Sequence, residues 1–378
     1  MDASSRCSLK DITLYFLKLG TVGFGGPIAL VGYMQRDLVE ARGWFSKEDF
    51  SEGLALAQLM PGPLAAQLAI YLGWLVRGVL GATAVAFSFV LPSFLMVLAI
   101  GAAYVAYGGL PWMRGAFYGV GAAVIAIIAR SAYKLVRSQL GRDWLLWGVF
   151  FVNALAVAIT ESEIIWLFLG AGLVVAVVRA RYRPVVAPSL APAWLFTGLF
   201  GAASPSLLLK IFLFFTAAGA VVFGSGLAIV PFLHGTVVNE YKWLSERQFL
   251  DAVAVAMITP GPVVITVAFI GYLVAGPAGA VVAAIAVFFP CYLFTVVPAK
   301  HFRKWQSNGT VRAAVDGITA AATGAIAGAA FVLARRAIVD LPSAVIAIAV
   351  LLVLIYVKRA PEPLLVLGAA LVGILISR

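Results

Sequence analysis

The groups best suited to chemistry in this chain are main-chain amides. Pro61-Gly62-Pro63 and Pro260-Gly261-Pro262 interrupt two apolar stretches. A helix that restarts after such a break has first-turn N–H groups with no partner inside it. Here they belong to Leu64, Ala65 and Ala66 after the first break, and to Val263, Val264 and Ile265 after the second. Together with the helix dipole they suit an anion. Gln58, Gln67, Thr259 and Thr266 are hydrogen-bonding side chains close by. The runs Gly23-Phe24-Gly25-Gly26 and Gly224-Ser225-Gly226 would let backbone approach a ligand or supply further N–H groups. Pro-Gly pairs and small-residue runs also mark simple kinks and close helix packing. Their recurrence at equivalent places is what favours a binding site.

Charged candidates are few. Lys18 lies two turns before the first glycine run and is the first choice for a cationic ligand; Arg77, Arg114 and Arg312 are alternatives. For all four the competing role is an interfacial anchor, because cations near helix ends snorkel to headgroups. Glu52 and Asp251 are matched acids and candidates for proton coupling, although a carboxylate early in a helix also complements the dipole. Asp316 is unmatched, and pairing with Arg312 one turn earlier explains it.

The elements that must position these groups come in two copies. Adding 199 carries Phe24-Gly25 onto Phe223-Gly224, Ser46 onto Ser245 and Pro61 onto Pro260; an offset of 198 then carries Pro92 onto Pro290 and Gly119 onto Gly317. The chain therefore divides into repeats over 1–190 and 191–378, joined through a Pro-rich stretch at 179–192. Helical segments are expected at 11–38 (broken at the Gly-Gly-Pro), 47–76, 79–107, 113–137, 143–160 and 162–179. In the second half they are expected at 207–236, 246–275, 277–300, 312–335, 341–357 and 361–377. Ser46-x-x-Asp49 and Ser245-x-x-Gln248 mark helix starts, and proline stops each helix about 11 residues later. Neither arm is long enough to span a bilayer, so a re-entrant hairpin with a protein-buried or wet tip is expected.

The fold class expected is an all-α polytopic membrane protein of inverted repeats, each with about five spans plus the hairpin. With the amino terminus outside, that topology places about two thirds of the 27 Lys and Arg in the cytoplasm, better than parallel repeats do. A composition 63% hydrophobic and 11% charged excludes an ordinary soluble protein. The formal charge of +11 sits in clusters flanking apolar spans, which argues for lipid rather than nucleic acid. Two cysteines and two isolated histidines give no metal-ligand cluster, and no cofactor or catalytic constellation is expected.

These residues carry a family resemblance along almost the whole chain. Phe24-Gly25-Gly26-Pro27, Gly43-Trp44 and the run from Pro61 to Gly73 resemble the chromate ion transporter (CHR) family in its two-domain efflux form. So do the run from Phe223 to Phe232 and Ile258 to Thr266. The resemblance implies export of chromate from the bacterial cytoplasm across the inner membrane, driven by the potential or a proton gradient, with resistance as the outcome. Many members carry a histidine shortly after the first Gly-Gly-Pro; this chain reads Ile28-Ala29-Leu30-Val31-Gly32 there. Chromate, with sulfate as an alternative substrate, the lipid bilayer and a second copy of the chain are the candidate partners. The rival activities are sulfate or other oxyanion transport, chromate/sulfate exchange, and an anion channel.

Overall fold

The computed structural model describes residues 7–24, 26–107, 111–160, 165–179, 204–221, 223–224, 229–300, 302, 309–338, 340–357 and 362–376. In the first half the helices are α1 (Leu9–Val22), α2 (Gly26–Met34), α3 (Lys47–Leu59), α4 (Leu64–Tyr107), α5 (Pro111–Gln139), α6 (Trp144–Thr160) and α7 (Ile165–Arg179). In the second they are α8 (Pro205–Val221), α9 (Ile229–His234), α10 (Glu246–Ile258), α11 (Thr266–Ala299), α12 (Gly309–Ala337), α13 (Leu341–Tyr356) and α14 (Glu362–Ile376). A parallel two-residue pair joins β1 (Gly62–Pro63) to β2 (Phe223–Gly224). The boundary expected at 190 lies outside the described residues.

The interruptions read from the sequence are chain reversals. Helical dihedrals fail within α4 only at Arg77 and Gly78 (φ 57°) and within α11 only at Ala275 and Gly276 (φ 62°). Glycine adopts that positive φ without steric cost. After the turn the arms 64–76 and 79–107 run back to back: a methyl on Gly73 would lie 2.5 Å from the Gly81 carbonyl oxygen. In a straight helix eight residues separate two groups by about 12 Å. Gly271 and Gly279 meet in the same way in α11.

α3 and the first arm of α4 also fold against each other, because Gly53 sits directly under the Tyr71 ring. The Ser46 hydroxyl caps α3 through the Asp49 amide. Ser245 caps α10 with a complete box, the Gln248 side chain reaching back to the Ser245 amide at 2.9 Å.

The segment 11–38, expected as one interrupted span, is instead a third kind of reversal. The Tyr15 hydroxyl donates to the Asp37 carboxylate at 3.3 Å, and the Arg42 guanidinium lies 5.4 Å from the Tyr15 ring. A continuous helix would separate residues 15 and 37 by about 33 Å. The extended backbone at Gly23 (φ −80°, ψ 93°) turns the chain so that the segment after α2 returns to the start of α1. A Gly-Gly-Pro break shows that a helix stops; it does not reveal the angle at which the next one leaves. The second half repeats this, with Lys210 of α8 3.9 Å from the Tyr241 ring beyond α9.

The later helices are exchanged between halves. α5 packs on α13 and α14 of the second half, and α12 packs on α6 and α7 of the first. Gly119 lies against the Ala369 carbonyl, and its counterpart Gly317 lies 2.5 Å (as an added methyl) from that of Ala171. Small residues let backbones approach this closely, and dispersion rather than water exclusion then holds apolar helices together.

Ion pairs fix the direction of these helices. Arg179, ending α7, bonds Asp143 before α6 and Asp316 near the start of α12, the latter at 2.5 Å. Asp316 thus has a partner from the other half; the Arg312 side chain, its expected partner, lies outside the described residues. The Tyr118 hydroxyl, near the start of α5, donates to Asp340 before α13. Since α12 runs about 43 Å to reach Asp340, equivalent helices α5 and α12 begin at opposite ends of the bundle.

Burial raises the Asp143 pKa, but bonds from Arg179 and the Leu146 and Leu145 amides outweigh it and hold the carboxyl below the usual range. A lowered folded pKa contributes stability above the unfolded value and loses it as pH falls through the folded one. Arg179→Met should therefore lower the melting temperature of the detergent-solubilised protein slightly and by a constant amount from neutral to mildly acid pH. The difference should vanish only below about pH 4. The effect is small because exposed pairs contribute about 1 kcal/mol or less.

Candidate functional site

The candidate site is built from the two Pro-Gly-Pro turns and the broken helices of the opposite half. Proline stops α3 and α10 for want of an N–H, and glycine takes φ of 141° at Gly62 and 96° at Gly261. Each turn then inserts into the other half. Gly62 and Pro63 pair with Phe223 and Gly224 at the break after α8, and Gly261 donates its N–H to the Gly23 carbonyl after α1 at 2.9 Å. A methyl on Gly62 would approach Cys291 Sγ of α11 at 3.2 Å; one on Gly261 would collide with Ser93 Oγ of α4. Ser93 and Cys291 are equivalent residues, one after Pro92 and one after Pro290. Each turn thus docks on the helix break and the long arm of the opposite half.

The pairing uses up some of the donors expected to be free. Pro63 has no N–H, so a parallel ladder in this register runs from the Gly224 N–H to the Gly62 carbonyl and from the Leu64 N–H to the Gly224 carbonyl. After the second turn the chain starts with a 3₁₀ turn (Val263–Ile265), and the Ile265 N–H bonds the Pro262 carbonyl at 3.0 Å. The donors left for an anion are the amides of Ala65 and Ala66 in one arm and Val263 and Val264 in the other.

Polar side chains contribute less than their types promised. The hydroxyls of Thr259 and Thr266 donate to the Val255 and Val263 carbonyls at 2.6 and 2.8 Å. Gln67, fully buried, gives an Nε2 hydrogen to the Pro61 carbonyl at 2.8 Å, while its Oε1 is buried with no partner. Gln58 is exposed on α3, and Lys18 is exposed on the face of α1 opposite Ile12, Phe16 and Leu19. Gly25, Ser225 and Gly226 lie outside the described residues, as do the side chains of Arg114 and Arg312. Gly26 opens α2.

The two turns differ in access. Pro61 is half-buried beside exposed Gln58, whereas Thr259 and Pro260 are buried; Gly62, Pro63, Gly261 and Pro262 are all buried, and Leu64 and Val263 are both half-buried. The acids differ too. Glu52 is half-buried, but Asp251 is 3% exposed and accepts the Tyr104 hydroxyl of α4 at 2.6 Å. Sequence reasoning missed Gly23 as an acceptor and Ser93, Cys291 and Tyr104 as partners. The 198 offset that matched Pro92 with Pro290 also matches the residues that follow them. Among the described residues no group of acids, histidines and cysteines could hold a metal ion.

Comparison with known proteins agrees with this duplicated arrangement. A family model described as chromate transporter matches twice, over residues 10–176 and 209–374. A chromate transport protein of Cupriavidus metallidurans is 58% identical over 97% of this chain and 93% of its own length. A probable chromate transport protein of Synechococcus elongatus is 56% identical over 97% of this chain and 95% of its own. A chromate transport protein of Pseudomonas aeruginosa is 32% identical over 89% of this chain and 83% of its own. No solved structure matches.

Proposed function

This chain belongs to the chromate transporter family, and from that premise we propose that it exports chromate from the bacterial cytoplasm by alternating access between its two halves. The observation that carries the reading is the crossed docking of the Pro-Gly-Pro turns. Each lies against the middle of the opposite half's long arm, at Ser93 in 79–107 and at Cys291 in 277–299. Those arms are apolar and long enough to cross a bilayer, so the turns would sit near mid-depth, where broken helices of inverted repeats hold substrates. Chromate would exchange its hydration for the amides of Ala65, Ala66, Val263 and Val264. Repeats over 1–190 and 191–378 would rock about this centre.

The reversals of α1–α2 and α3–α4 modify the topology. Each half would send in two re-entrant hairpins from one face and cross with 79–107, α5, α6 and α7, or with 277–299, α12, α13 and α14. Inversion then requires the second half to begin at the opposite face from the first. The clusters Arg36/Arg42/Lys47, Arg137/Arg142/Arg179, Lys300/Arg303/Lys304 and Lys358/Arg359 would then share the face of the amino terminus. The positive-inside rule makes that face cytoplasmic, reversing the orientation expected from five spans. The site lies within one chain; the bilayer and a second copy remain proposed partners.

Chromate uptake into everted vesicles, with the pH gradient and the potential collapsed separately, tests export. Uphill uptake is expected, and none in either condition refutes it. Pro63→Ala or Pro262→Ala should cut the rate about tenfold while leaving membrane insertion intact, since the break positions the amides. Sulfate shares the shape and charge that backbone amides read, so competition by sulfate, molybdate and phosphate decides between export of chromate alone and oxyanion exchange.

A further inference from the structure

We infer that Asp251 is the residue through which external protons act on this transporter, and that Tyr104 sets when it binds one; this rests on the transport reading above. The two groups lie on opposite sides of the interface between halves. Asp251 belongs to α10, the arm leading to the second Pro-Gly-Pro turn, and Tyr104 to the long arm of the first half. Asp251 is 3% exposed, and the Tyr104 hydroxyl donates to its Oδ2 at 2.6 Å. Both flank apolar packing: the Tyr104 ring meets Phe117 at 5.6 Å and Phe269 at 5.4 Å.

The equivalent place in the other half is built differently. Adding 198 to Tyr104 gives Phe302, which packs with Leu56 and Tyr71 and has no hydroxyl. The tyrosine–acid pair is therefore not duplicated. Besides Tyr104, the charged or titratable groups on the elements packed against α10 include Arg247 and Glu246 on α10 itself, His234 of α9 bonded to Glu246 at 2.8 Å, Glu240 in the 235–240 segment, Tyr107 of α4, Tyr118 (bonded to Asp340) and Arg130 of α5, and Tyr272 of α11. From α5 and α14 come apolar neighbours such as Phe117, Val120, Val366 and Ala369 of the same cluster.

The coupling follows from burial. A carboxylate out of water is costly unless hydrogen-bonded, and protonation removes the cost. With the halves engaged, Tyr104 stabilises the ionised form. When the halves part, Asp251 loses both that donor and the packing that excludes water, so the two states differ in proton affinity. That difference is what a gradient needs in order to bias an equilibrium between them. α10 starts from the loop at Lys242, on the proposed external face. The proton would enter from outside in the parted state, as Asp251-COO⁻ becomes Asp251-COOH. Once chromate has been released outside, the halves close, Tyr104 re-engages, and the proton would leave to the cytoplasmic side.

The test uses everted vesicles, whose lumen corresponds to the outside. In wild type, acidifying the lumen should speed chromate uptake about tenfold. Asp251→Asn should reduce that ratio to about one while chromate–chromate exchange persists within about twofold. Tyr104→Phe should move the midpoint of the lumenal pH profile upward, because the charged form has lost its donor. Glu52→Gln should keep the profile. A wild-type profile in Asp251→Asn, an unmoved midpoint in Tyr104→Phe, or loss of exchange together with the pH response would each overturn the inference. Absence of both uptake and exchange in wild type would instead refute the transport reading beneath it.

Discussion

Gly261→Ala is expected to lower the initial rate of chromate uptake by more than about tenfold at unchanged protein level in the membrane, because the turn must shift and its amides with it. The methyl would collide with Ser93 Oγ and lie 3.4 Å from the Gly20 carbonyl oxygen. It would also hold alanine at φ 96°, a left-handed strain of roughly 1–2 kcal/mol. To relieve both, the turn must move, and its N–H bond to the Gly23 carbonyl is the contact it would give up. Adding Ser93→Gly removes the colliding atoms and should restore part of the rate but not all, since the backbone strain stays. Gly62→Ala should cost less, because its methyl comes no nearer than 2.8 Å, to the Gln67 side chain, although it too would hold alanine at a positive φ of 141°. Gly32→Ala, with nothing within 4 Å, should be silent. Uptake normalised to immunodetected protein gives the ranking, and equal rates for Gly261→Ala and wild type would contradict it.

Gly119→Leu and Gly317→Leu should each abolish recovery of folded protein. A side chain at either position would enter the backbone of a helix from the other half, at Ala369 or Ala171. Overpacking of a tight contact costs about 1–3 kcal/mol even where neighbours can yield, and a carbonyl pressed by a branched side chain yields little. The effect depends on the exchange of α5 and α12 between halves. Gly121→Ala, on the same helix with nothing within 4 Å of the added methyl, should give wild-type yield. Size-exclusion profiles of the solubilised variants measure the difference; a monodisperse Gly119→Leu protein would count against the exchanged packing.

Much of the architecture could be read in advance, for identifiable reasons. Proline and glycine act on the chain that carries them, so the breaks at Pro61–Pro63 and Pro260–Pro262 followed from residue type, and the expected segment ends at 76/79 and 275/277 flank the turns at Gly78 and Gly276. The matched offsets showed that each break occurs twice. What local chemistry does not encode is direction. Nothing in Gly23-Phe24-Gly25-Gly26-Pro27 distinguishes a kink from a full reversal, and the reversal is visible only through Tyr15, Asp37 and Arg42, brought together from 22 or more positions apart.

The exchange between halves was hidden for a related reason. Its contacts are glycine against carbonyl, and every carbonyl looks alike in a sequence. The site was overestimated in one respect: threonines next to a helix can spend their hydrogens on its own carbonyls, as Thr259 and Thr266 do. It was underestimated in another, because Ser93, Cys291 and Tyr104 carry no motif and gain meaning only from the turn or acid they touch. Lys18 shows the limit of charge reasoning, being placed at the right depth along α1 but on its exposed face.

The most direct test is to locate the anion itself. Crystals of the chromate-bound protein measured at the chromium absorption edge would give one anomalous peak. It should lie between the crossed turns, with oxygens about 3 Å from the amide nitrogens of Ala65 or Ala66 and of Val263 or Val264. A peak held instead by Lys18 or other side chains away from both turns would contradict the account.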